Sequence, residues 1–193
     1  MLPPPPLQLG VSPRRVIVFS GHIVDAADRP DERFPARCVT QAARRIGNTL
    51  TAMKAGTSDL ALTQGSAGGD ILFIESCLAH HVPVQLMLPV PEDEFIDRSI
   101  ARMTDGDDWK RRYLAARASL AAVPAVMPRA PGNVFERCNR WMLATAQASG
   151  ASAIELVCLW NGVRGDAGGT AHMVDEFRAA HCRITWIDTR EFC

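Results

Sequence analysis

Two glycine-rich stretches constrain the fold more than any other feature of this 193-residue chain. Residues 65–70 (GSAGGD) and residues 165–170 (GDAGGT) each follow a strand-like apolar run, and each opens a helix-like segment. A strand, a tight glycine turn and a helix start bring unpaired backbone N–H groups and the positive end of a helix dipole to one point. Such a point suits a phosphate, so the two stretches predict a nucleotide-binding domain.

Strand-like and helix-like segments alternate along the chain. Continuous apolar and β-branched runs predict strands at residues 16–19, 60–63, 84–88, 123–127, 154–160 and 184–187. Apolar residues at helical spacing predict helices at residues 36–54, 70–79, 92–102, 108–120, 133–148 and 171–180. We therefore expect an α/β fold: a single Rossmann-like, doubly wound, mainly parallel sheet with helices on both faces. Its ligand crevice would lie at the carboxyl ends of the strands, where the loops after Ser20, Thr63 and Trp160 meet.

The amino-terminal segment differs in composition from the rest. Residues 1–13 contain four consecutive prolines, which form neither a helix nor a sheet ladder, so we predict a flexible, extended arm. Residues 14–193 contain no linker, and an apolar fraction of 47% is sufficient for a packed core. We predict one folded domain over residues 14–193.

Charge and motif content exclude several classes of protein. The formal net charge is zero and the arginines are scattered, which argues against long DNA or RNA as a partner. No apolar run approaches the roughly 20 residues that a membrane span needs. Neither glycine stretch is followed by the lysine of a P-loop, which excludes that class of NTPase. Six cysteines without a CxxC pair predict buried thiols in a cytoplasmic protein, and we expect no metal and no cofactor.

The first glycine stretch has two interpretations. Gly65, Gly68 and Gly69 would let the backbone approach a phosphate closely, and Ser66 would donate a hydroxyl hydrogen bond. Alternatively, the glycines serve only the conformation of the turn. Asp70 complicates the phosphate interpretation, because a carboxylate in the first turn already satisfies the helix dipole and repels an anion. It is either a helix cap or an acceptor for a ribose hydroxyl.

The second glycine stretch follows the strongest strand. Gly168 and Gly169 would hold a phosphate, while Thr170 either binds a phosphate oxygen or caps the helix. Trp160, which leads into this stretch, is the aromatic residue that we consider as a stacking surface for a base.

Further candidate ligand-binding residues lie at the first strand and on a later helix. Ser20, Gly21 and His22 follow the first strand, where the imidazole would bond a base or a phosphate, or only the backbone. Arg137 and Arg140 are one turn apart, so a guanidinium there would clamp a phosphate, or both arginines would form a solvated face.

Four stretches carry a resemblance to a known family. They are residues 19–22 with Asp25, Arg29 and residues 33–35; residues 64–70; residues 88–89 with Glu94 and Phe95; and residues 168–170. In these, the chain resembles the SLOG superfamily, named for DNA-processing protein A and the Lonely Guy proteins. The resemblance implies a Rossmann-like domain that binds a nucleotide or a nucleotide-derived ligand, acts as a sensor in signalling, and pairs into a homodimer.

The resemblance to Lonely Guy enzymes implies an alternative activity. Those enzymes cleave the N-glycosidic bond of nucleoside monophosphates with an arginine on a helix and a PGGxGTxxE loop, and Arg137 or Arg140 and residues 168–170 are similar to these. The chain lacks the proline, and His172 stands where the motif would bring its glutamate.

Glycosidic cleavage needs a carboxylate, so the catalytic candidates are Glu75, Asp175 and Glu176, together with Arg137. Each carboxylate is alternatively a helix-surface residue. The lost glutamate favours a sensor, with a phosphoribohydrolase as the alternative. A DNA-handling role is a third hypothesis, and it would need a basic groove of arginines.

Overall fold

The computed structural model describes residues 12–26 and 29–193. All of the predicted proline-rich arm except residues 12 and 13 therefore lies outside the described residues. No helix in the described ranges has the length and apolar character needed to cross a membrane.

The fold is built on one sheet of six parallel strands in the order β4-β3-β2-β1-β5-β6. The strands are β1 Arg15–Gly21, β2 Asp59–Thr63, β3 Val84–Leu88, β4 Ala125–Val126, β5 Ala153–Trp160 and β6 Arg183–Asp188. From β1 the chain builds outward through β2, β3 and β4 on one side, then returns to place β5 and β6 on the other. This is a doubly wound, Rossmann-like α/β sheet, as the alternating pattern predicted.

Helices cover both faces of the sheet. They are α1 Val39–Ala52, α2 Gly69–Ala79, α3 Glu92–Ile96, α4 Gly106–Ser119, α5 Val134–Ala148 and α6 Thr170–Ala179. Because successive strand residues point to opposite faces, Ile17 and Phe19 of β1 pack with α1, α2 and α4, whereas Val16 and Val18 pack with α5 and α6. The continuous apolar runs of the strands follow from burial on both sides.

The helix predicted over residues 92–102 is divided in two. After α3 the chain forms one π-helical turn, Asp97–Ala101, and α4 begins at Gly106 rather than at 108. Only glycine fits at position 106, because a Cβ there would lie 2.2 Å from the carbonyl oxygen of Ala101. This region is part of the core, since Phe95 and Tyr113 are fully buried in it.

The carboxyl ends of β1 and β5 form the switch point of the sheet. The loop after β1 lies against the start of α2: the N–H of Gly69 donates to His22 O at 3.0 Å, and the N–H of Val24 donates to Ala67 O at 3.0 Å. Gly68 has φ of +103°, and a Cβ at that position would lie 2.7 Å from the backbone N of Val24. Glycine is therefore required for this close approach of two backbones.

The expectation of six thiols is wrong for one pair of cysteines. Cys38 and Cys193 form a disulfide, with their Cα atoms 5.4 Å apart. They are separated by 155 residues in sequence, so spacing alone did not reveal that the start of α1 and the segment after β6 meet. Cys77, Cys138 and Cys158 are buried thiols, as predicted, and Cys182 is a partly buried one.

The substitution Gly68→Ala is expected to lower the free energy of unfolding by about 3 kcal/mol. The positive φ and the contact with the Val24 backbone both oppose a methyl group there. Urea unfolding measures the change. The matched control is Gly47→Ala in α1, where a Cβ meets nothing within 4 Å, and which should stabilise the protein by about 0.5–1 kcal/mol. Equal effects of the two substitutions would contradict the requirement for glycine at position 68.

Candidate functional site

A cavity of about 400 Å³ opens at the switch point of the sheet. Its walls are the end of β1 and the following loop, the first glycine stretch, the π-helical turn, the start of α5 and the second glycine stretch. The predicted ligand-binding residues that line it are Ser20, Gly21, His22, Ser66, Asp70, Gly168, Gly169 and Thr170. Gly65, Gly68 and Arg140 are not among its lining residues.

The amino terminus of α6 faces this cavity. Gly168, at φ of +84°, lies against α5, where a Cβ would meet Phe135 Cβ at 2.5 Å. The N–H of Gly169 donates to Asp166 O at 3.0 Å, and Ser20 Oγ donates to Thr170 Oγ1 at 3.2 Å. Within residues 12–26 and 29–193, no protein group accepts the N–H of Thr170 or of Ala171. Both N–H groups are therefore available to an acceptor in the cavity.

Arg33 lies beside the same glycine stretch. Its side chain is only 30% exposed, and Asp166 Oδ2, itself on a 93% exposed side chain, is 3.8 Å away. A Cβ on Gly165 would lie 2.7 Å from Arg33 Nη1, so the guanidinium packs directly on the loop. In the described part of the chain this guanidinium donates no hydrogen bond. A largely buried fork of N–H donors without an acceptor suits a phosphate or a carboxylate.

Two further arginines line the cavity but already have partners. Arg29 Nε donates to Asp31 O at 2.9 Å and lies 3.5 Å from Asp25 Oδ1. Arg98 Nη1 donates to Glu94 Oε1 at 2.9 Å. Among the cavity-lining arginines of the described ranges, Arg33 is thus the one whose guanidinium donates no hydrogen bond to the protein, its ion-pair partner Asp166 lying 3.8 Å away.

His22, which lines the cavity, is a neutral hydrogen-bond donor. Its Nε2 accepts from the N–H of Asn161 at 3.0 Å, so the ring proton is assigned to Nδ1. Burial, aided by the nearby Arg33 charge, lowers the pKa of His22 from 6.5 to about 4, against the raising effect of the Asn161 bond. The imidazole therefore carries no charge at neutral pH.

The Asp70 carboxylate accepts hydrogen bonds from the backbone of the first glycine stretch. Oδ2 accepts from the N–H groups of Gly65 and Ser66 at 3.1 and 3.2 Å, and Oδ1 accepts from the N–H of Gly21 at 3.3 Å. Burial raises the pKa of this carboxyl from 3.8 to about 6, even though the three backbone bonds and the Thr63 hydroxyl favour the charged form. Of the glycine N–H groups that the sequence assigned to a phosphate, that of Gly65 is hydrogen-bonded to this carboxylate and that of Gly69 donates to His22 O.

Asn139 connects the two glycine stretches, and sequence reasoning missed it. Its Nδ2 donates to Gly168 O at 2.8 Å, and its Oδ1 accepts from Gln64 Nε2 at 3.1 Å. Asn139 is 1% exposed and lies beside Cys138 and Met142 on the buried face of α5. Asparagine is a poor residue for a helix interior, so its place on an apolar face was the signal available in the sequence.

The three carboxylates considered for catalysis are held in ion pairs outside the lining of the cavity. Glu75 accepts from Arg112 Nε at 2.8 Å, on the side of α2 that faces α4. Glu176 accepts from Arg140 Nε at 2.9 Å. Asp175 pairs with Arg164 at 2.6 Å on the surface of α6.

The two arginines of α5 also have partners within the protein. Arg137 donates to the carbonyl oxygens of Pro128 and Ala130, both at 2.8 Å, and so fixes the segment before α5. Arg140, 53% exposed, bonds Glu176 and lies 3.1 Å from His172 Nε2. Asn133 caps α5, since its Oδ1 accepts from the N–H groups of Phe135 and Glu136.

Aromatic side chains form part of the cavity wall. Trp160 is positioned by its indole N–H, which donates to Val163 O at 2.8 Å, and by the Trp186 ring, whose centroid is 5.8 Å away. Phe135 lines the cavity at the start of α5, with the Arg98 guanidinium 5.7 Å from its ring centroid. Flat apolar rings beside a few polar groups are typical of a small-molecule site.

Comparison of the chain with protein-family models and with curated proteins finds no match. The resemblance to the SLOG superfamily therefore stays an expectation from the four sequence stretches.

His22 and Asp70 make opposite contributions to stability between pH 6.5 and pH 4. The folded pKa of His22 lies below its unfolded value, so the unfolded chain takes up the proton first and acid destabilises the fold. The folded pKa of Asp70 lies above its unfolded value, so the folded chain is protonated first and acid stabilises it. Each shift corresponds to about 3 kcal/mol, and the two largely cancel.

The substitution His22→Gln is expected to leave the contribution of Asp70 to the pH dependence of stability uncancelled. Glutamine keeps an oxygen that can accept from the N–H of Asn161 but does not titrate. Relative to wild type, the free energy of unfolding of this variant should rise by up to about 3 kcal/mol between pH 6.5 and pH 4, as measured by urea unfolding at each pH. The variant Asp70→Asn should show the opposite trend. A difference that does not change with pH would contradict the lowered pKa of His22.

Proposed function

We propose that this protein binds a nucleotide or a nucleotide-derived ligand in the switch-point cavity and acts as a sensor or signalling module. The observation that carries the proposal is the convergence of the Arg33 guanidinium with the amino terminus of α6. Two N–H groups of the helix, and a guanidinium that donates no hydrogen bond within the described residues and lies 3.8 Å from the exposed Asp166, line the same end of the cavity.

The chemistry of this end of the cavity favours a phosphate. The helix dipole places about half a positive charge at the amino terminus of α6, and the Thr170 and Ala171 N–H groups supply directional donors. Arg33 adds a full charge and a planar fork that matches two phosphate oxygens. Because the guanidinium is largely buried, its bonds to an anion are screened less by water than those of a surface arginine.

The rest of the cavity offers what a nucleoside needs. The ring of Trp160 and that of Phe135 supply apolar faces for a base, and the Nδ1–H of His22 supplies a neutral donor. The aromatic wall and the phosphate end are joined by the second glycine stretch, residues 165–170. This arrangement supports a ligand that combines a flat ring with an anionic group.

Binding is favoured over turnover by the positions of the carboxylates. Cleavage of an N-glycosidic bond needs a carboxylate at the reacting carbon to stabilise the positive charge and to position water. Glu75, Asp175 and Glu176 are instead ion-paired outside the cavity lining. The carboxylates that do line the cavity are Asp25 and Asp70, which accept backbone N–H groups, and the exposed Asp166 beside Arg33. Phosphoribohydrolase activity is therefore the alternative that the experiment below detects.

Ligand-observed proton NMR on a panel of nucleoside monophosphates, dinucleotides and cyclic nucleotides tests the proposal. Saturation transfer without release of free base is the expected result. Accumulation of free base would identify a glycoside hydrolase. The absence of saturation transfer to every member of the panel would overturn nucleotide binding.

The substitution Arg33→Gln is expected to weaken binding of the ligand found in the panel by about 10- to 100-fold, because charge-assisted bonds to the phosphate are lost. The dissociation constant, measured by calorimetry, reports the change. The matched control is Arg37→Gln in the same segment, since Arg37 pairs with Glu32 and is 61% exposed. A loss of affinity of the same size in both variants would contradict the role of Arg33.

The substitution Gly169→Asp is expected to abolish binding without lowering the melting temperature. Gly169 is the N-cap of α6, where an aspartate side chain caps the helix and places a carboxylate at the N–H groups meant for the ligand. The control Gly169→Asn caps the same helix without the charge, and it should retain more affinity than the aspartate variant. Full binding by Gly169→Asp would show that the anion lies elsewhere.

A further inference from the structure

The two glycine stretches have the same sequence pattern, but their backbone N–H groups are hydrogen-bonded differently in the structure. Position 70 follows Gly68–Gly69 as position 170 follows Gly168–Gly169. At the second stretch, the N–H groups of Thr170 and Ala171 have no acceptor in the described residues. At the first stretch, the Asp70 carboxylate accepts the N–H groups of Gly65 and Ser66. Both positions line the same cavity.

We propose that Asp70 is a specificity-determining residue: it accepts a hydrogen bond from a ligand hydroxyl, and it excludes ligands that carry a second phosphate at that end. This inference rests on the proposed nucleotide binding and assigns the orientation of the ligand. The phosphate would lie at α6 and Arg33, and the sugar hydroxyls would face Asp70.

The carboxylate is fixed by backbone groups from two separate loops. Gly21 belongs to the end of β1, whereas Gly65 and Ser66 belong to the loop after β2. These bonds run to residues that precede α2, so Asp70 does more than cap its own helix. A carboxylate held in this way cannot turn away when a ligand enters, and its position in the cavity is set before binding.

Acceptor capacity remains on the carboxylate. Oδ2 accepts two backbone hydrogen bonds, whereas Oδ1 accepts one, from Gly21, at the long distance of 3.3 Å. A carboxylate oxygen has two lone-pair sites, so one site on Oδ1 is left beside the Gly21 bond. The neighbouring Thr63 hydroxyl favours the charged carboxyl but makes no hydrogen bond of normal geometry within the described ranges, which leaves this site to a donor from the cavity. A hydroxyl of the ligand meets that requirement, because it donates to the charged acceptor without bringing a charge of its own.

A phosphate at the same place meets a like charge without compensation. The N–H groups of Gly65 and Ser66, which would otherwise stabilise it, are already bonded to Asp70. Asp70 is only 5% exposed, so water screens the repulsion poorly. The cavity therefore has an anion-binding end at α6 and a donor-binding end at α2.

The test is calorimetry on the full chain with four probes built on the base that gives saturation transfer in the panel. The probes are the ribonucleoside 5′-monophosphate, its 2′-deoxy form, its 3′-deoxy form and the 3′,5′-bisphosphate. We expect at least one deoxy form to bind about 10-fold more weakly than the parent, and the bisphosphate to bind about 100-fold more weakly. Equal affinity across the series would overturn the inference and leave the proposed function intact. If no member of the panel shows saturation transfer, both the inference about Asp70 and the proposed function are overturned.

The variant Asp70→Asn removes the charge with little change of shape. If it folds, as judged by circular dichroism, the discrimination against the bisphosphate should fall at least 10-fold, while the 5′-monophosphate keeps its phosphate contacts. The matched control is Asp108→Asn on the exposed surface of α4, which should leave the ratio of affinities unchanged. If Asp70→Asn does not fold, the wild-type probe series alone decides; unchanged discrimination in a folded Asp70→Asn variant would overturn the inference.

Discussion

At the switch point, the end of β1 and the loop after it lie against the start of α2, and this backbone contact determines where the polar groups around it lie. Gly68 and Gly69 let the start of α2 approach the end of β1 so closely that a Cβ on Gly69 would lie 3.0 Å from the Cα of Gly21. This approach brings the N–H of Gly21 within reach of Asp70 and fixes the carbonyl of His22 on Gly69. A bulkier residue at position 68 or 69 would separate α2 from the end of β1 and so displace the side chains of His22 and Asp70. The geometry of the cavity therefore depends on the absence of side chains at these positions.

Much of the fold could be predicted because it depends on local patterns. The apolar run at residues 16–19 and the capping residue Asn133 each determine their element within a few positions. Residues 92–105 were harder to predict, because the π-helical turn and the start of α4 at Gly106 depend on a contact with Ala101 that periodicity does not encode. The Cys38–Cys193 pair joins segments that only the complete fold brings together.

The site was less predictable than the fold, and the reason is physical. Spacing in the sequence indicates which loop a residue occupies but not which partner its side chain finds. Glu176 satisfies the chemical requirement for catalysis, yet it binds Arg140. Arg33 shows the reverse: the sequence places it only in a stretch that resembles a family, whereas the role proposed for it rests on a guanidinium that donates no hydrogen bond in the described structure. The roles of such residues follow from tertiary contacts.

The protonation states of the cavity make its two ends electrostatically distinct. His22 is neutral above a pKa of about 4, so it adds no positive charge near neutral pH, and attraction for an anion comes from α6 and Arg33. Asp70 is mostly charged above its pKa of about 6, which directs an anion away from α2. A zero net charge for the whole chain is compatible with this polarity, because recognition depends on where the charges lie. Under the proposed function, this polarity is what orients the ligand before either glycine stretch contacts it.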